Sequence, residues 1–342
     1  MGFNYTKSDF FILLPPLNPI TSFIFIQTFR FQMNLKIAKA HIALLAAESM
    51  WGLMAPIGKS AMLAGITSLS LATMRMFGAA ILFWIASLFT PKEKVNPHDL
   101  MLLFFAGLLS IVFNQGLFTF GLSLTSPIDA SVVSTFLPIV TMILAALFLK
   151  EPITPKKVTG LFMGAIGALV LILSNHSPST ENGNMLGDIL CISAQISFAC
   201  YLTLFKKLIS KYHIFTLMKW MFTYATLCFI PFAYNDFSSL TYNTFPPQVW
   251  WEVGYVILFG TFFAYILMLV GQKTLRPTVV SMYNYIQPIV GASVSIYIGI
   301  ATFSWIKAFA TFLIFAGVYV VTQSKSLSQM MAEKEQKTKI ER

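Results

Sequence analysis

The chain has 342 residues, of which 56% are hydrophobic and only 11% are charged. A soluble globular chain carries about 25% charged residues, so lipid has to be the solvent around most of this chain. Its net charge of +10 does not indicate a nucleic-acid-binding protein, because the basic residues stand in short clusters between apolar runs rather than on one face of a domain.

The N-terminal extension, residues 1–37, is predicted to precede the membrane-spanning core. Three prolines break any helix in the first half of its apolar run, Phe10–Phe29, and no small-residue cleavage site of a signal peptide follows that run. Met33 begins a stretch that is typical of an ordinary N-terminus ahead of a first span. The interpretation is that residues 1–32 are a start-site extension with no role in the fold.

Ten apolar segments of about twenty residues follow, and each is long enough to cross a hydrocarbon core of about 30 Å. Each is predicted to be a helix, because lipid cannot satisfy exposed backbone N–H and C=O groups. The predicted spans lie near residues 38–57, 69–89, 99–120, 129–149, 157–174, 187–206, 214–234, 249–270, 277–299 and 303–322. The charged segment after the last span, residues 323–342, is predicted to be a solvated, disordered cytoplasmic tail.

Positive charge alternates from one side of the membrane to the other along these connections. One set of connections, together with the C-terminal tail, carries 17 lysines and arginines, whereas the alternate set carries only Lys59. Because cytoplasmic loops carry the excess of Lys and Arg, the pattern predicts a multi-pass protein of the bacterial inner (plasma) membrane with both termini in the cytoplasm. The 17 residues are Lys36, Lys39, Lys92, Lys94, Lys150, Lys156, Lys157, Lys206, Lys207, Lys211, Lys273, Arg276, Lys325, Lys334, Lys337, Lys339 and Arg342.

An internal repeat relates two halves of the chain, residues 38–174 and 187–322. Sliding the sequence by 150 residues aligns Gly121 with Gly271, Pro127 with Pro277, Ser131 with Ser281, Pro138 with Pro288 and Gly167 with Gly317. Five helices in each half, an odd number, put the second half upside down relative to the first. The predicted fold is therefore an all-α integral membrane protein of ten transmembrane helices in two inverted five-helix repeats, an architecture typical of secondary transporters.

The same residues carry a resemblance to a known family. The tract from Ser123 to Pro138, its continuation to Glu151-Pro152, and the second-half run Gly260–Tyr265 resemble EamA domains of the drug/metabolite transporter superfamily. The resemblance covers about residues 38–322. It implies a ten-helix transporter of metabolites, amino acids or drugs, often an exporter, with no ATP site. One departure is that the position matching Glu151 in the second half is Ala301, which puts symmetric roles for that acid in doubt.

Glu48 lies halfway along the first predicted span. An ionisable group at the centre of a membrane helix costs about 2.5–3.5 kcal/mol on insertion scales, so its presence asks for a reason. Glu48 is the leading candidate for a group that takes up a proton or binds an ammonium group of a substrate. The alternative is a structural pair with Arg75, which lies on the next helix.

Asn284 and Gln287 stand three residues apart on the ninth predicted span, directly before Pro288. This spacing puts both amides on one helix face, and a proline inside a helix frees a backbone carbonyl group. A polar stripe beside a kink is typical of a substrate cavity near the membrane midplane. The alternative is a set of hydrogen bonds that only join helices.

Other candidate substrate-binding residues are polar or aromatic side chains on further spans, each with the alternative of ordinary packing or interhelical hydrogen bonding. They are Trp51, Asn114, Gln115, Gln195 and Tyr201. Because Asn114 and Gln115 are adjacent, only one of them is expected to face a cavity. Structural roles are assigned to Arg75, Pro138, Glu151 and Pro288. Glu151 is expected to hold Lys156 or Lys157 at the cytoplasmic end of its helix.

These features predict a secondary transporter that moves a small metabolite, amino acid or drug across the inner membrane, as an exporter, by alternating access at a midplane cavity. The chain has no GxxxxGK[ST] loop, so ATP is not expected to drive transport directly. An intramembrane enzyme would need a carboxylate pair or a Ser/His or metal constellation at membrane depth, and only Glu48 is available, so no enzyme is predicted. No cofactor or metal is predicted either, because the 3 cysteines lack metal-ligand spacing and the 4 histidines are scattered at membrane edges or in loops. The alternative is a non-transporting scaffold or regulatory membrane protein of the same fold. The predicted partners are a small-molecule substrate, the lipid bilayer and protons, in either a monomer or a homodimer.

Overall fold

A computed structural model describes the backbone of residues 19–124, 132–174, 185–239, 245–297, 303–325 and 327–340. The described residues form helices and their connections, with no strand among them. The α-helices are α1 Pro19–Leu63, α2 Ser68–Ser87, α3 Pro97–Gly107, α4 Asn114–Leu124, α5 Leu137–Leu149, α6 Pro155–Ser174, α7 Met185–Leu204, α8 Lys206–Lys211, α9 Ile214–Ser239, α10 Pro247–Ile257, α11 Ala264–Thr274, α12 Pro277–Met282, α13 Ile286–Tyr297, α14 Trp305–Thr322 and α15 Leu327–Ile340.

Nine helical stretches among the described residues are long and apolar enough to cross a membrane. They agree with nine of the ten predicted spans. The nine stretches are Asn34–Leu63, Ser68–Ser87, Pro97–Gly121, Val132–Leu149, Pro155–Ser174, Met185–Leu204, Ile214–Ala233, Pro247–Thr274 and Trp305–Thr322.

The ninth predicted span, residues 277–299, is not one continuous α-helix. It consists of α12, a 3₁₀ turn at Tyr283–Tyr285 and α13. The break follows from Pro288, which has no N–H to donate to the carbonyl group of residue 284 and whose ring crowds that carbonyl. Residues 298–300, which would complete this span, lie outside the described residues, and ten crossings stay a prediction.

Helices are present near both ends of the chain, where the sequence did not predict them. Helix α1 begins at Pro19 and runs without a break across Met33 into the first span. Proline is tolerated at the first position of a helix, since its missing N–H would have no partner there. Residues 1–18 lie outside the description, and the reading of residues 1–32 as a start-site extension stays a prediction. The expectation of a disordered tail is wrong for α15, where acidic residues precede lysines by four positions, a spacing that favours a helix.

The repeat of the sequence recurs in the helices. A six-residue π-helical segment at Leu108–Phe113 interrupts the third predicted span, and another at Leu258–Phe263 interrupts the eighth. These segments stand 150 residues apart, as do the first residues of α3 and α10 and those of α4 and α11. The π-helix is rare and usually marks a special local requirement. The two halves therefore share the position of a π-helical segment as well as the starting positions of the α-helices on either side of it.

Helices α6 and α14 pack through glycines. A Cβ atom added to Gly160 would lie 2.7 Å from the Gly317 carbonyl oxygen, and one added to Gly167 would lie 2.7 Å from the Ala310 carbonyl oxygen. These contacts run in opposite directions along the two helices, so α6 and α14 are antiparallel. A shift of 150 residues turns each contact into the other. Small residues allow this close backbone approach, which is a common basis of helix association in membranes.

Candidate functional site

Glu48 and Gln287 meet in the interior of the protein. The Glu48 side chain, on α1, is buried, with 4% of its surface exposed. Its Oε2 atom accepts a hydrogen bond of 2.7 Å from Nε2 of Gln287, on α13, and the same Nε2 donates to Oδ1 of Asn284 at 3.0 Å. A candidate carboxylate from the first half of the sequence is thus hydrogen-bonded to a candidate amide from the second half.

The two proline kinks contact each other next to this pair. Nδ2 of Asn284 donates to the main-chain carbonyl oxygen of Ser134 at 3.1 Å. Pro138 has no N–H for that carbonyl group, which a regular helix would have bonded. The Tyr285 hydroxyl group donates to the Thr135 carbonyl oxygen, also at 3.1 Å. Asn284 therefore has a structural role at the first-half kink in addition to its contact with Gln287.

Gln195 extends this set of side chains into α7. Its Nε2 atom donates to the hydroxyl oxygen of Ser134 at 3.4 Å. We call these hydrogen-bonded residues the polar chain, and they are contributed by both halves of the sequence. The members are Glu48, Gln287, Asn284, Ser134 and Gln195.

Arg75 lies in a second cluster, which does not include Glu48. Its Nε atom donates to the Thr261 hydroxyl oxygen at 3.1 Å, and its Nη1 atom donates to Oε1 of Gln115 at 3.3 Å. No ion pair between Arg75 and Glu48 occurs in the part of the chain that the structure describes. The alternative of a structural Glu48–Arg75 pair is therefore not the arrangement seen. No local pattern in the sequence marks Thr261 beyond its place in the run Gly260–Tyr265.

Asn114 and Gln115 are bonded to each other and have different further partners. Gln115 faces Arg75, and its Nε2 atom donates to Oδ1 of Asn114 at 3.0 Å. Asn114 in turn donates to the Ala194 carbonyl oxygen on α7 at 3.0 Å and is buried. Asn114 thus joins two helices, whereas Gln115 belongs to the arginine cluster.

Trp51, on the same helix as Glu48, contacts the surroundings of Arg75. It lies three residues, about one helical turn, after Glu48 on α1. Its Nε1 atom donates to the Gly260 carbonyl oxygen at 2.9 Å, in the second π-helical segment. Its ring packs edge-on against Tyr265 with centroids 5.5 Å apart, and Tyr265 lies beside Arg75 and Gln115.

Tyr201, which the repeat aligns with Trp51, has a different environment. It is fully buried, it stacks with Phe198 and Phe205, and its hydroxyl group donates to Oε1 of Gln272 at 3.0 Å. The contacts described for Tyr201 are with these residues rather than with the polar chain. Its packing role is the one that these contacts favour.

Glu151 forms a buried ion pair with Lys157. Their charged atoms are 2.6 Å apart, and Lys157 is 1% exposed. The Thr278 hydroxyl group, on α12, donates to the same Glu151 oxygen at 3.1 Å. The pair therefore fastens the loop after α5 to the second half, as expected of a structural residue. Ala301, the position that the repeat aligns with Glu151, lies outside the described residues.

The chemistry available at the polar chain is binding and proton exchange. A carboxylate that accepts a hydrogen bond from one amide, at the end of a series of further amides and a hydroxyl group, can bind a cation or take up a proton while those neighbours change hydrogen-bond partners. Across the described ranges, no group of three or more His, Cys, Asp or Glu side chains is arranged to hold a metal ion.

Comparison with known proteins agrees with this picture. The EamA-like transporter family matches the chain twice, over residues 38–173 and 185–323. The chain is 25% identical over 309 residues to the uncharacterized transporter YetK of Bacillus subtilis, a match that covers 87% of this chain and 91% of that protein. It is 23% identical to the uncharacterized transporter YyaM of the same organism, over 56% of this chain and 64% of that protein.

A solved crystal structure shares the fold. It superposes with a TM-score of 0.69 at 16% sequence identity, and the superposition covers 84% of this chain and 98% of the other. The two family matches coincide with the two halves of the sequence repeat. The chain belongs to the EamA-like transporter family, and it is a multi-pass membrane transporter.

Proposed function

We propose that the chain is a secondary transporter that moves a small metabolite, amino acid or drug out of the cytoplasm. The two halves form ten crossings in inverted orientation, both termini are cytoplasmic, and the membrane is the bacterial inner membrane. Alternating access takes place around the polar chain, where substrate and proton compete for Glu48. The antiparallel packing of α6 and α14, helices that the sequence repeat aligns, supports the inverted arrangement.

The observation that carries this proposal is the hydrogen bond between Glu48 and Gln287. It connects the first helix of one half with the kinked segment of the other half. When Glu48 takes up a proton or binds a cation, it becomes a weaker acceptor for Gln287, so the contact between the halves changes with the state of the site.

The free energy of the Glu48–Gln287 hydrogen bond can be compared with the free energy needed to switch the protein between two states. A hydrogen bond to a charged group contributes about 1.5–3 kcal/mol. Moving a two-state equilibrium from 1:99 to 99:1 takes about 5.5 kcal/mol. The Glu48–Gln287 bond alone is therefore too weak to switch the protein completely. The substrate has to contact several members of the site, and the polar chain provides the amides of Gln287, Asn284 and Gln195 in addition to the carboxylate.

The test is Glu48→Gln in purified protein reconstituted into liposomes, with a panel of amino acids, amines and drugs offered under a pH gradient. We expect pH-driven flux of the transported solute to fall at least about 10-fold, because glutamine keeps the volume and loses the titrating group. Glu335→Gln, an exposed acid in α15, is the matched control and should transport normally.

The outcomes separate the proposal from its alternative. Unchanged flux in Glu48→Gln, with unchanged folding, would remove Glu48 from the mechanism. No flux of any solute in the wild type would favour a scaffold or regulatory protein of the same fold. Flux measured in inside-out and right-side-out vesicles gives the direction, and faster movement into right-side-out vesicles would contradict export.

A further inference from the structure

Asn284 is hydrogen-bonded through both ends of its side-chain amide. Its Nδ2 atom donates to the Ser134 carbonyl oxygen at 3.1 Å, and its Oδ1 atom accepts from Nε2 of Gln287 at 3.0 Å. A main-chain carbonyl oxygen can only accept a hydrogen bond. The Ser134 carbonyl group therefore requires the nitrogen of the Asn284 amide to face it, and the oxygen of that amide then faces Gln287.

The orientation of the Gln287 amide follows from that of Asn284. Because Oδ1 of Asn284 can only accept, Gln287 has to turn its nitrogen towards Asn284. The same nitrogen lies 2.7 Å from Oε2 of Glu48. The two N–H bonds of this nitrogen thus serve Asn284 and Glu48, and the carbonyl oxygen of the Gln287 side chain is turned away from the carboxyl group.

A carboxyl group responds differently to the two ends of an amide. An N–H group stabilises the carboxylate by donating to it, whereas a C=O group stabilises the protonated acid by accepting from it. Turning the Gln287 amide round would replace a partner that favours release of the proton by a partner that favours its retention. By holding the nitrogen towards Glu48, Asn284 maintains the partner that favours release.

Pro138 is the origin of this order of hydrogen bonds. Position 138 has no N–H for the Ser134 carbonyl group, which is therefore available to a side chain of the other half. The orientation that begins at the kink of the first half is passed through Asn284 and Gln287, on the kinked segment of the second half, to the carboxyl group on α1.

We infer that Asn284 is a positioning residue for proton exchange at Glu48, because it fixes the Gln287 amide in the orientation that favours the carboxylate. The inference rests on the proposed function, in which Glu48 takes up and releases a proton, and it adds the residue that sets how readily the proton leaves. A movement of the first-half kink that takes the Ser134 carbonyl group away from Asn284 would free both amides to turn. Proton retention by Glu48 would then follow the conformation of the protein.

Other titratable and charged groups around α1 have different partners in the described structure. On α1 itself, His41 lies two turns from Glu48 and bonds to the Tyr283 hydroxyl group, and the basic residues stand at least nine positions from Glu48. On the elements packed against α1, Tyr297 is exposed, and the described contacts of the others are those of Glu252 with Ser60, Tyr255 with the Met50 carbonyl oxygen, Tyr265 with Trp51, Lys273 with the Tyr212 carbonyl oxygen, Tyr285 with the Thr135 carbonyl oxygen, and Arg75 with Thr261 and Gln115. A change in the titration of Glu48 on substitution of Asn284 is therefore assigned to Gln287.

The test is pH-difference infrared spectroscopy of the full chain in detergent, which follows the C=O band of protonated carboxyl groups. The band that is missing in Glu48→Gln belongs to Glu48, and its loss with rising pH gives the midpoint of the titration. Asn284→Leu removes both hydrogen bonds of the amide and should move this midpoint upward by about 1 pH unit. Gln323→Leu, at an exposed amide just after α14, is the control and should leave the midpoint unchanged.

A double variant separates the positioning role of Asn284 from a purely structural one. When Pro138→Ala is combined with Asn284→Leu, the N–H at position 138 can bond the Ser134 carbonyl group, so the unfolding temperature should return towards that of the wild type. Gln287 still lacks its acceptor at position 284, so the midpoint for Glu48 should stay shifted. The double variant also allows the titration to be measured if Asn284→Leu folds poorly.

Two results would overturn the inference. One is an unshifted midpoint in Asn284→Leu or in the double variant. The other is a midpoint that returns to the wild-type value together with the stability of the double variant, which would mean that position 284 acts only through the fold.

The transporter proposal can fail separately from this inference. Flux that is unaffected by Glu48→Gln, together with a shifted band in Asn284→Leu, would remove Glu48 from transport and still support the orienting role of Asn284. Glu48-dependent flux together with an unshifted band would leave the transporter proposal standing and remove this inference.

Discussion

The side-chain amide of Asn284 donates to the main-chain carbonyl oxygen of Ser134, which lies 150 residues, one repeat length, earlier in the chain. Ser134 is the residue whose carbonyl group Pro138 leaves without a helical partner. A side chain of the second half therefore supplies the hydrogen bond that a backbone carbonyl group of the first half lacks. The two aligned residues contribute differently to this bond, since Ser134 uses its backbone carbonyl group and Asn284 uses its side-chain amide.

This relationship predicts a strong coupling between Asn284 and Pro138. Asn284→Ala should destabilise the protein by about 1 kcal/mol, because the Ser134 carbonyl group loses its donor. In a Pro138→Ala background, the restored N–H at position 138 can bond that carbonyl group, and the same substitution should cost much less. Denaturant unfolding of the two single variants and the double variant measures the coupling. Additive costs would show that the kink does not need Asn284.

The glycine contact between α6 and α14 predicts a sharp steric limit. Gly160→Ala should destabilise the protein by about 1–3 kcal/mol, because its Cβ would lie 2.7 Å from the Gly317 carbonyl oxygen and the helices would have to separate. Gly254 on α10 is the control, since no atom lies within 4 Å of a Cβ added there. Gly254→Ala should be neutral or stabilising by up to about 1 kcal/mol. Equal behaviour of the two variants in thermal unfolding would contradict the contact.

The Glu151–Lys157 pair predicts a different response to single and double substitution. Glu151→Gln leaves the ammonium group of Lys157 buried without its counter-charge and should cost about 3–5 kcal/mol. Adding Lys157→Met removes the orphaned charge and should recover most of that loss. Lys156→Met, at an exposed neighbouring position, should have little effect. A double variant as unstable as Glu151→Gln would show that the pair does more than neutralise charge.

Lys206 predicts a rise in stability at alkaline pH. It begins α8, outside the spanning helices, and burial lowers its pKa to about 8 from the usual 10.5. Between these values the unfolded chain binds more protons than the folded one, so stability should increase from about pH 8 to pH 10, by at most about 3 kcal/mol. The hydrogen bonds from its ammonium group to the Gln272 and Leu275 carbonyl oxygens oppose this trend.

Lys206→Met provides the reference for that measurement. Without the titrating ammonium group, the unfolding temperature should vary less between pH 8 and pH 10 than it does in the wild type. Parallel pH profiles of the two proteins would assign the alkaline behaviour to another group.

Much of this structure could be predicted from local sequence. Nine of the predicted spans correspond, among the described residues, to helices that are long and apolar enough to cross a membrane, because twenty apolar residues in lipid have no other way to satisfy their backbone. Pro288 predicted the break before α13, since the missing N–H acts on the residue four positions earlier. The prediction of Glu48 as a functional group rests on the free-energy cost of placing an ionisable group at the centre of a membrane helix, which requires a partner for the carboxylate.

The partners themselves were not predictable in the same way. The sequence suggests Arg75 as the structural partner of Glu48, yet the hydrogen-bond donor to Glu48 is Gln287, 239 residues away. Arg75 instead contacts Thr261, a common residue with no local signal. Which polar groups meet across helices depends on helix rotation and side-chain rotamers, and a single sequence contains little information on either.

The π-helical segments at Leu108–Phe113 and Leu258–Phe263 bear on the history of the chain. A π turn accommodates one more residue than the α turn in its place, and it costs regular hydrogen bonding. An extra residue at the same position in both halves is most simply explained by a single insertion in an ancestor that had only one half. The irregularity is then older than the duplication, and the differences at Glu48 and Asn284 arose after the two copies began to diverge.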